Sequence, residues 1–446
     1  MNAMNNEKIV DFVAVGVGPF NLGLACLTEN IDSLEGIFLD KKDEFNWHPG
    51  MLLQDTTLQI PFMADLVTLA DPTNPFSFLN YIKEQGRIYS FYIREDFLLL
   101  RNEYNQYCQW AISKLSNVYF QTEVIEITHN KVENYYTVAT INTKTQEQKV
   151  FKTRKLVLGT GTQPYIPACC KDLKGKVTHS SSYLSSKEAL QKKKSITVLG
   201  SGQSAAEIFY DLLQEIDEKG YELNWITRSP RFFPLEYSKL TLEMTSPEYV
   251  DYFYNLPESK REDLINNQKH LYKGINHDLI ANIFDLMYTK QVTNKDLKIN
   301  LRTNSTLKTA TYDDALDNFY LEIHQNEQDK YYAHKTEALV LSTGYSYQQP
   351  TFIDGIKNNI QWDAKGRYNV QRNYAIDKDA SNIFVQNAEL HTHGFVTPDL
   401  GMACYRNSYI IKEITGVDHY AIEKRVAFQQ FEVSEEEEIK VGAAIV

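Results

Sequence analysis

Apolar residues in this chain fall into short strand-like runs and longer stretches with helical spacing, and two regions repeat one pattern. Residues 10–15 form an apolar run that ends at Gly16-Val17-Gly18. A helical stretch starts near Pro19, and residues 36–39 read as a second short strand. Residues 196–199 end in the same way at Gly200-Ser201-Gly202. A helix follows towards Glu218, and residues 223–226 return as a strand. Alternation on this scale predicts βαβ units in parallel sheets. Two more apolar runs, 156–158 and 338–341, lead into Thr160-Gly161 and Thr343-Gly344, and mark where the chain is expected to cross between two domains. Residues 232–288 are rich in Tyr, Leu, Glu and Lys at helical spacing, which predicts a helical cap.

Composition narrows the class. At 446 residues the chain is too long for one ordinary core, and 43% hydrophobic with 23% charged residues is normal globular usage. A net charge of -12 argues against a nucleic-acid partner. Five cysteines, with Cys169-Cys170 as the one close pair and no C-x-x-C, predict no disulfide framework and a cytoplasmic location. Residues 1–8 carry no apolar run, so no secretory signal is expected, and no apolar stretch approaches the ~18 residues of a membrane span. The acidic run Glu435 to Glu438 reads as a solvated end.

The Gly turns bring in chemistry. A dinucleotide needs a tight turn, a close backbone approach to its pyrophosphate and a helix N-terminus aimed at it. Gly16 and Gly18 supply the first two, with Asn21 rather than Gly at the third fingerprint position. Asp40 stands 22 positions after Gly18 at the end of the next strand, where a carboxylate can accept from a ribose. The second turn, Gly200-Ser201-Gly202-Gln203-Ser204-Ala205, is followed by a strand that ends in Arg228 instead of an acid. A guanidinium pairs with a 2′-phosphate that a carboxylate would repel, so the first site suits FAD and the second NADPH. Lys239 and Arg231 are the next cations in line. The predicted fold is α/β, with two Rossmann-like dinucleotide-binding domains and a smaller helical substrate domain. Residues 1–168 and 338–446 are assigned to the FAD domain and the C-terminal tail, 169–234 and 300–337 to an inserted NADPH domain, and 235–299 to the helical cap.

Six segments, in order, resemble the lysine and ornithine N-monooxygenases, the microbial amine N-hydroxylases of siderophore synthesis. They begin at Gly16 (GVGPFNL), Trp47 (WHPGML), Leu58 (LQIPF), Asp71 (DPTNPFSFLNY), Gly200 (GSGQS) and Thr392 (THG). The resemblance implies that Gly16, Gly18, Pro19, Phe20 and Asn21 bind FAD with Asp40 and Lys41, and that Trp47, His48 and Met51 lie beside the flavin. It places Gln59 near the isoalloxazine and the oxygen-reaction site, and Asn276 near substrate and nicotinamide. It also implies that the segment from Asn387 through Leu400 closes the pocket. Without it, Trp47 and His48 would read as core aromatics, and Gln59 and Asn276 as ordinary polar residues. His391 and His393 form an H-x-H pair, but no carboxylate or cysteine pattern supports a metal, and none is expected.

The implied reaction passes hydride from NADPH to FAD, takes up O2 as a C4a-hydroperoxyflavin, and oxidises a neutral amine. An ammonium has no lone pair, so with a lysine-like pKa of ~10.4 the substrate must shed a proton. The substrate reading rests on one departure. Amino-acid-hydroxylating members carry a lysine in Phe-Leu-Lys-Asp-Leu, which in ornithine hydroxylases pairs with the α-carboxylate. Here the segment is Phe62-Met63-Ala64-Asp65-Leu66. Ala64 cannot pair a carboxylate, which points to a diamine, putrescine or cadaverine, with Glu236 or Asp399 holding the distal ammonium. Lysine or ornithine is the alternative substrate. A disulfide reductase would need a redox cysteine pair, and a non-catalytic flavoprotein would not need intact nucleotide motifs. The family resemblance further implies a homo-oligomer.

Overall fold

The computed structural model describes residues 8–439; the N-terminal residues 1–7, for which no signal was expected, lie outside it. Strand Ile9–Val15 lies at the centre of a first sheet. It pairs in parallel with Gly36–Leu39 on one side and with the last part of Gln148–Leu158 on the other. The long strand Gln148–Leu158 has two partners on its far edge: the antiparallel strand Tyr135–Asn142 along its first half, and the parallel Ile383–Val385 along its end. Chain from residues 383–385 therefore completes a sheet begun at residue 9.

The second sheet has five parallel strands in the order Thr178–His179, Ala338–Leu341, Ser195–Leu199, Glu222–Ile226, Ile299–Arg302. Helix Gln203–Lys219 buries Ala205, Ala206, Phe209, Leu212 and Leu213 against one face. The antiparallel strands Ser305–Asp313, Asn318–Gln325 and Lys330–Thr336 cover the other through Phe319, Leu321 and Ile323. The parallel sheets and their crossover helices form the α/β, doubly nucleotide-binding architecture that the Gly turns predict.

Two boundaries shift from the expected ones. Strand Ala338–Leu341 pairs with Ser195–Leu199, so it belongs to the second sheet and not to the returning first domain. The return comes at Tyr345–Tyr347, which pairs antiparallel with the outgoing strand Thr162–Pro164. Helix His277–Thr293, assigned to the cap, instead contributes Ile283 to the apolar core beneath Gln203–Lys219. Of helices Pro247–Asn255 and Glu258–Asn267, the second lines the cleft through Glu262, Ile265, Asn266 and Asn267. The first packs Tyr249, Val250 and Phe253 on Phe395, Val396 and Met402. No helix among the described residues is long and apolar enough to cross a membrane.

Candidate active site

In each sheet the strand before the Gly turn has neighbours that leave on opposite sides, and a crevice opens there. The two crevices merge into one cleft of about 2600 Å³, lined by both Gly turns and by the loop 386–400. The turns are built alike. A Cβ on Gly16 (φ +90°) would lie 2.3 Å from the Gly159 carbonyl oxygen, and one on Gly200 would lie 2.3 Å from that of Ser342. Both glycines are therefore required by neighbouring backbone. Gly18 differs: a Cβ there would meet nothing within 4 Å. Its hydrogen faces open cleft at the N-terminus of helix Pro19–Thr28, which is what a pyrophosphate seat needs.

Asn21 has a structural task that explains its place in the fingerprint. It is 1% exposed, its amide donates to the Gly16 carbonyl at 2.7 Å, and its oxygen accepts from Gln386 Nε2 at 2.7 Å. It thus ties the first strand end to the loop after Ile383–Val385. Asp40 is held with one oxygen on the Val17 N–H and the other on the Lys42 N–H, both at 2.8 Å. Its remaining lone pairs face the cleft that Gly18, Pro19, Phe20 and Lys41 also line. This fits the adenosine half of FAD.

Trp47 is fixed by its N–H on Asn105 Oδ1 and by edge contact with Tyr104. His48 adopts a left-handed conformation (φ 50°) and meets Tyr345 edge-on across the cleft. Desolvation, and then the charges of Arg101 and Lys42, lower its pKa to about 4, so its imidazole is neutral at physiological pH. Asn387 (φ +61°) and Leu400 line the opposite wall. Four expected cofactor contacts, Met51, Gln59, Ala205 and Asn276, do not line the cleft. Met51 is 2% exposed and packs with Leu53, Tyr183 and Leu190. Ala205 is 1% exposed and sits under its turn, where a small residue lets helix and strand approach.

At the second turn Gly202, Gln203 and Ser204 line the cleft with Arg228, which forms no ion pair among the described residues. Arg231 lies over the Phe233 ring instead, and neither it nor Lys239 reaches the cleft. Lys269 and Lys273 do, and sequence spacing did not single them out. Lys273 titrates below the ordinary lysine range because of desolvation and the nearby charges of Lys269 and Arg228. A cluster of cations facing an open cleft fits a 2′-phosphate.

Gln59 and Asn276, 217 residues apart, meet directly: Asn276 Nδ2 donates to Gln59 Oε1 at 3.0 Å. Asn276 also caps helix His277–Thr293 by accepting from the Leu279 N–H. The two acid candidates separate clearly. Glu236 is exposed and already engaged by Thr241 Oγ1 (2.7 Å) and His270. Asp399 accepts from the Gly401 N–H at 2.7 Å, and burial pushes its pKa above the usual carboxylate range. It flanks the same point as Ala64: the position of a Cβ on Gly401 lies 3.1 Å from Asp399 Oδ1 and 3.9 Å from Ala64 Cβ. His391 and His393 are spoken for by the carbonyls of Tyr368 and Arg372.

Comparison with known proteins agrees with this geometry. The sequence model described as L-lysine 6-monooxygenase/L-ornithine 5-monooxygenase matches residues 8–347. A putrescine N-hydroxylase of Shewanella oneidensis is 53% identical, over 96% of this chain and 85% of its own length. The FAD-bound crystal structure of a cadaverine monooxygenase of Erwinia amylovora superposes with a TM-score of 0.94. It is 57% identical, and the match covers 96% of this chain and 100% of that one. An ornithine N-hydroxylase of Kutzneria with reduced FAD, NADP+ and L-ornithine gives 0.84 at 25% identity, over 91% of this chain and 99% of that one. The cofactors are FAD and NADPH, and the chain belongs to the L-lysine 6-monooxygenase/L-ornithine 5-monooxygenase family.

Proposed function

We propose that this enzyme N-hydroxylates one amine of an aliphatic diamine, putrescine or cadaverine, as a step in hydroxamate siderophore biosynthesis. One observation carries the diamine reading: Ala64 stands where amino-acid-hydroxylating members carry a lysine, and a half-buried acid, Asp399, lies beside the same point. The point beside Ala64 thus offers an acid where those members carry a lysine. The named relatives at 53% and 57% identity act on diamines, whereas the one that binds ornithine stands at 25%.

When bound, FAD reduced by NADPH supplies the oxygen-activating chemistry, and the protein positions and shields it. Asp399 orients the diamine by its distal ammonium, which leaves the near amine free to reach the reaction site as a neutral base. Binding an ammonium also favours the ionised form of an acid that burial alone disfavours. Gln59 and Asn276 present amide groups to the reacting centre, and the neutral His48 adds no charge there. The loop from Asn387 to Leu400 closes one wall against water.

A cytoplasmic homo-oligomer belongs to the same proposal. Tyr89, Tyr92, Ile93 and Phe97 are each at least 70% exposed and give the surface an apolar patch suited to a partner. Detection of N-hydroxylated product across a panel of amines tests the activity.

The reductant has its own test. Arg228→Ala is expected to weaken NADPH by ~1.5–3 kcal/mol, or about one to two decades, and to leave NADH nearly unchanged. The NADPH/NADH ratio of kcat/KM measures this. An unchanged ratio would transfer the phosphate contact to Lys273 and Lys269.

A further inference from the structure

The Gln59–Asn276 pair is the end of a longer polar chain. Arg101 follows strand Leu98–Leu100, which pairs with Thr57–Pro61, the strand that carries Gln59. The Arg101 guanidinium grips Glu207 with two bonds of 2.7 Å, across 106 residues of sequence. Glu207 accepts from Gln203 Nε2 at 2.9 Å, and Gln203 Oε1 accepts from the Asn276 N–H at 2.7 Å. Asn276 Nδ2 then closes the circuit on Gln59 Oε1. The circuit leaves the first domain at Arg101, runs through the second nucleotide turn, and returns at Gln59.

Glu207 is 4% exposed on helix Gln203–Lys219, one turn after Gln203. A buried carboxylate is costly unless paired, and here it is paired bidentately. Its carboxylate accepts from the Gln203 NH2 and so holds that side chain against the Asn276 backbone N–H, while the helix cap orients the Asn276 side chain. Gln203 must direct its NH2 at Glu207, so its oxygen faces the Asn276 N–H. The Asn276 oxygen is held by the Leu279 N–H, so its NH2 faces Gln59. Gln59 therefore has its oxygen occupied and its NH2 available, in weak contact with the Thr57 carbonyl at 3.4 Å.

We propose that Arg101 and Glu207 are positioning residues: through Gln203 they hold the Asn276 backbone where its capped side chain meets Gln59, and so keep the Gln59 amide presenting an N–H donor to the reacting centre. The inference rests on the placement of Gln59 at that centre. Glu207→Gln keeps the side chain's size but gives up the charge pair with Arg101, which loosens the hold of Gln203 on the Asn276 N–H. The variant is expected to retain FAD occupancy and NADP+ affinity, measured by absorbance and by direct titration. Hydroxylated product per NADPH should fall at least about threefold, with the balance released as hydrogen peroxide. In a Gln59→Ala background the same substitution should cost nothing further, because groups that act through one another are not additive. Arg101→Lys, which keeps the buried charge pair but loses the fork, should show the same pattern if Glu207→Gln does not fold. Unchanged coupling in Glu207→Gln, or a loss that adds to that of Gln59→Ala, would overturn the relay. Full coupling in Gln59→Ala alone would instead overturn the placement of Gln59, and the proposal with it.

Discussion

A Gly18→Val protein is expected to fold normally and to emerge colourless. The substitution is clean because a Cβ at Gly18 meets no protein atom within 4 Å, and its backbone (φ -93°, ψ 179°) suits any residue. The valine methyls project only into the space above the helix N-terminus, where a pyrophosphate must come within hydrogen-bonding distance of backbone N–H groups. Essentially complete loss of bound flavin should follow, with little change in melting temperature of the apoprotein. Gly16→Val is the contrasting control. Its Cβ would stand 2.3 Å from the Gly159 carbonyl in a left-handed conformation, so it should damage the fold itself. Flavin absorbance at full occupancy in a folded Gly18→Val protein would contradict the FAD assignment.

The second large effect concerns the distal end of the substrate. Asp399→Asn should lower kcat/KM for putrescine and cadaverine by about 10–100-fold, the scale of one charge-assisted hydrogen bond. A simple alkylamine of equal length lacks the second ammonium and should be affected far less. Ala64→Lys should act on the same seat from the other side. The new ammonium would pair with Asp399 and occupy the place of the substrate's own, so diamine turnover should fall at least as far. Steady-state kinetics with both amine types read these outcomes. An equal loss for diamine and alkylamine in Asp399→Asn would mean that Asp399 serves its backbone contact with Gly401 and not the substrate.

The parts of the fold legible in the sequence are those that the backbone dictates. Gly16 and Gly200 are required by neighbouring carbonyls, and Asp40 by the N–H groups of Val17 and Lys42, so motif and geometry coincide. The edge of the second domain was not legible at Ala338–Leu341. An apolar run ending in Thr-Gly looks alike in either sheet, and only the pairing with Ser195–Leu199 decides. Met51 and Ala205 stand beside true cleft residues in sequence, but small local rotations turn them into the core, which spacing cannot report. Glu236 and Asp399 were equal as acids; burial separates them, and burial is a tertiary property. Glu207 left no trace, since on helix Gln203–Lys219 it falls on the face with Gln203 and Gln214, opposite the apolar stripe. Nor did its partner Arg101, since a contact across 106 residues has no local signature.

The central claim is coupled N-hydroxylation of a diamine, and one measurement addresses it most directly: N-hydroxylated product formed per NADPH consumed by the FAD-loaded enzyme with putrescine, cadaverine, lysine and ornithine. The expected result is near-stoichiometric product from at least one diamine, with kcat/KM at least ~10-fold above that for either amino acid, a modest demand on one buried charge pair. Efficient, coupled hydroxylation of lysine or ornithine with little product from either diamine would contradict it.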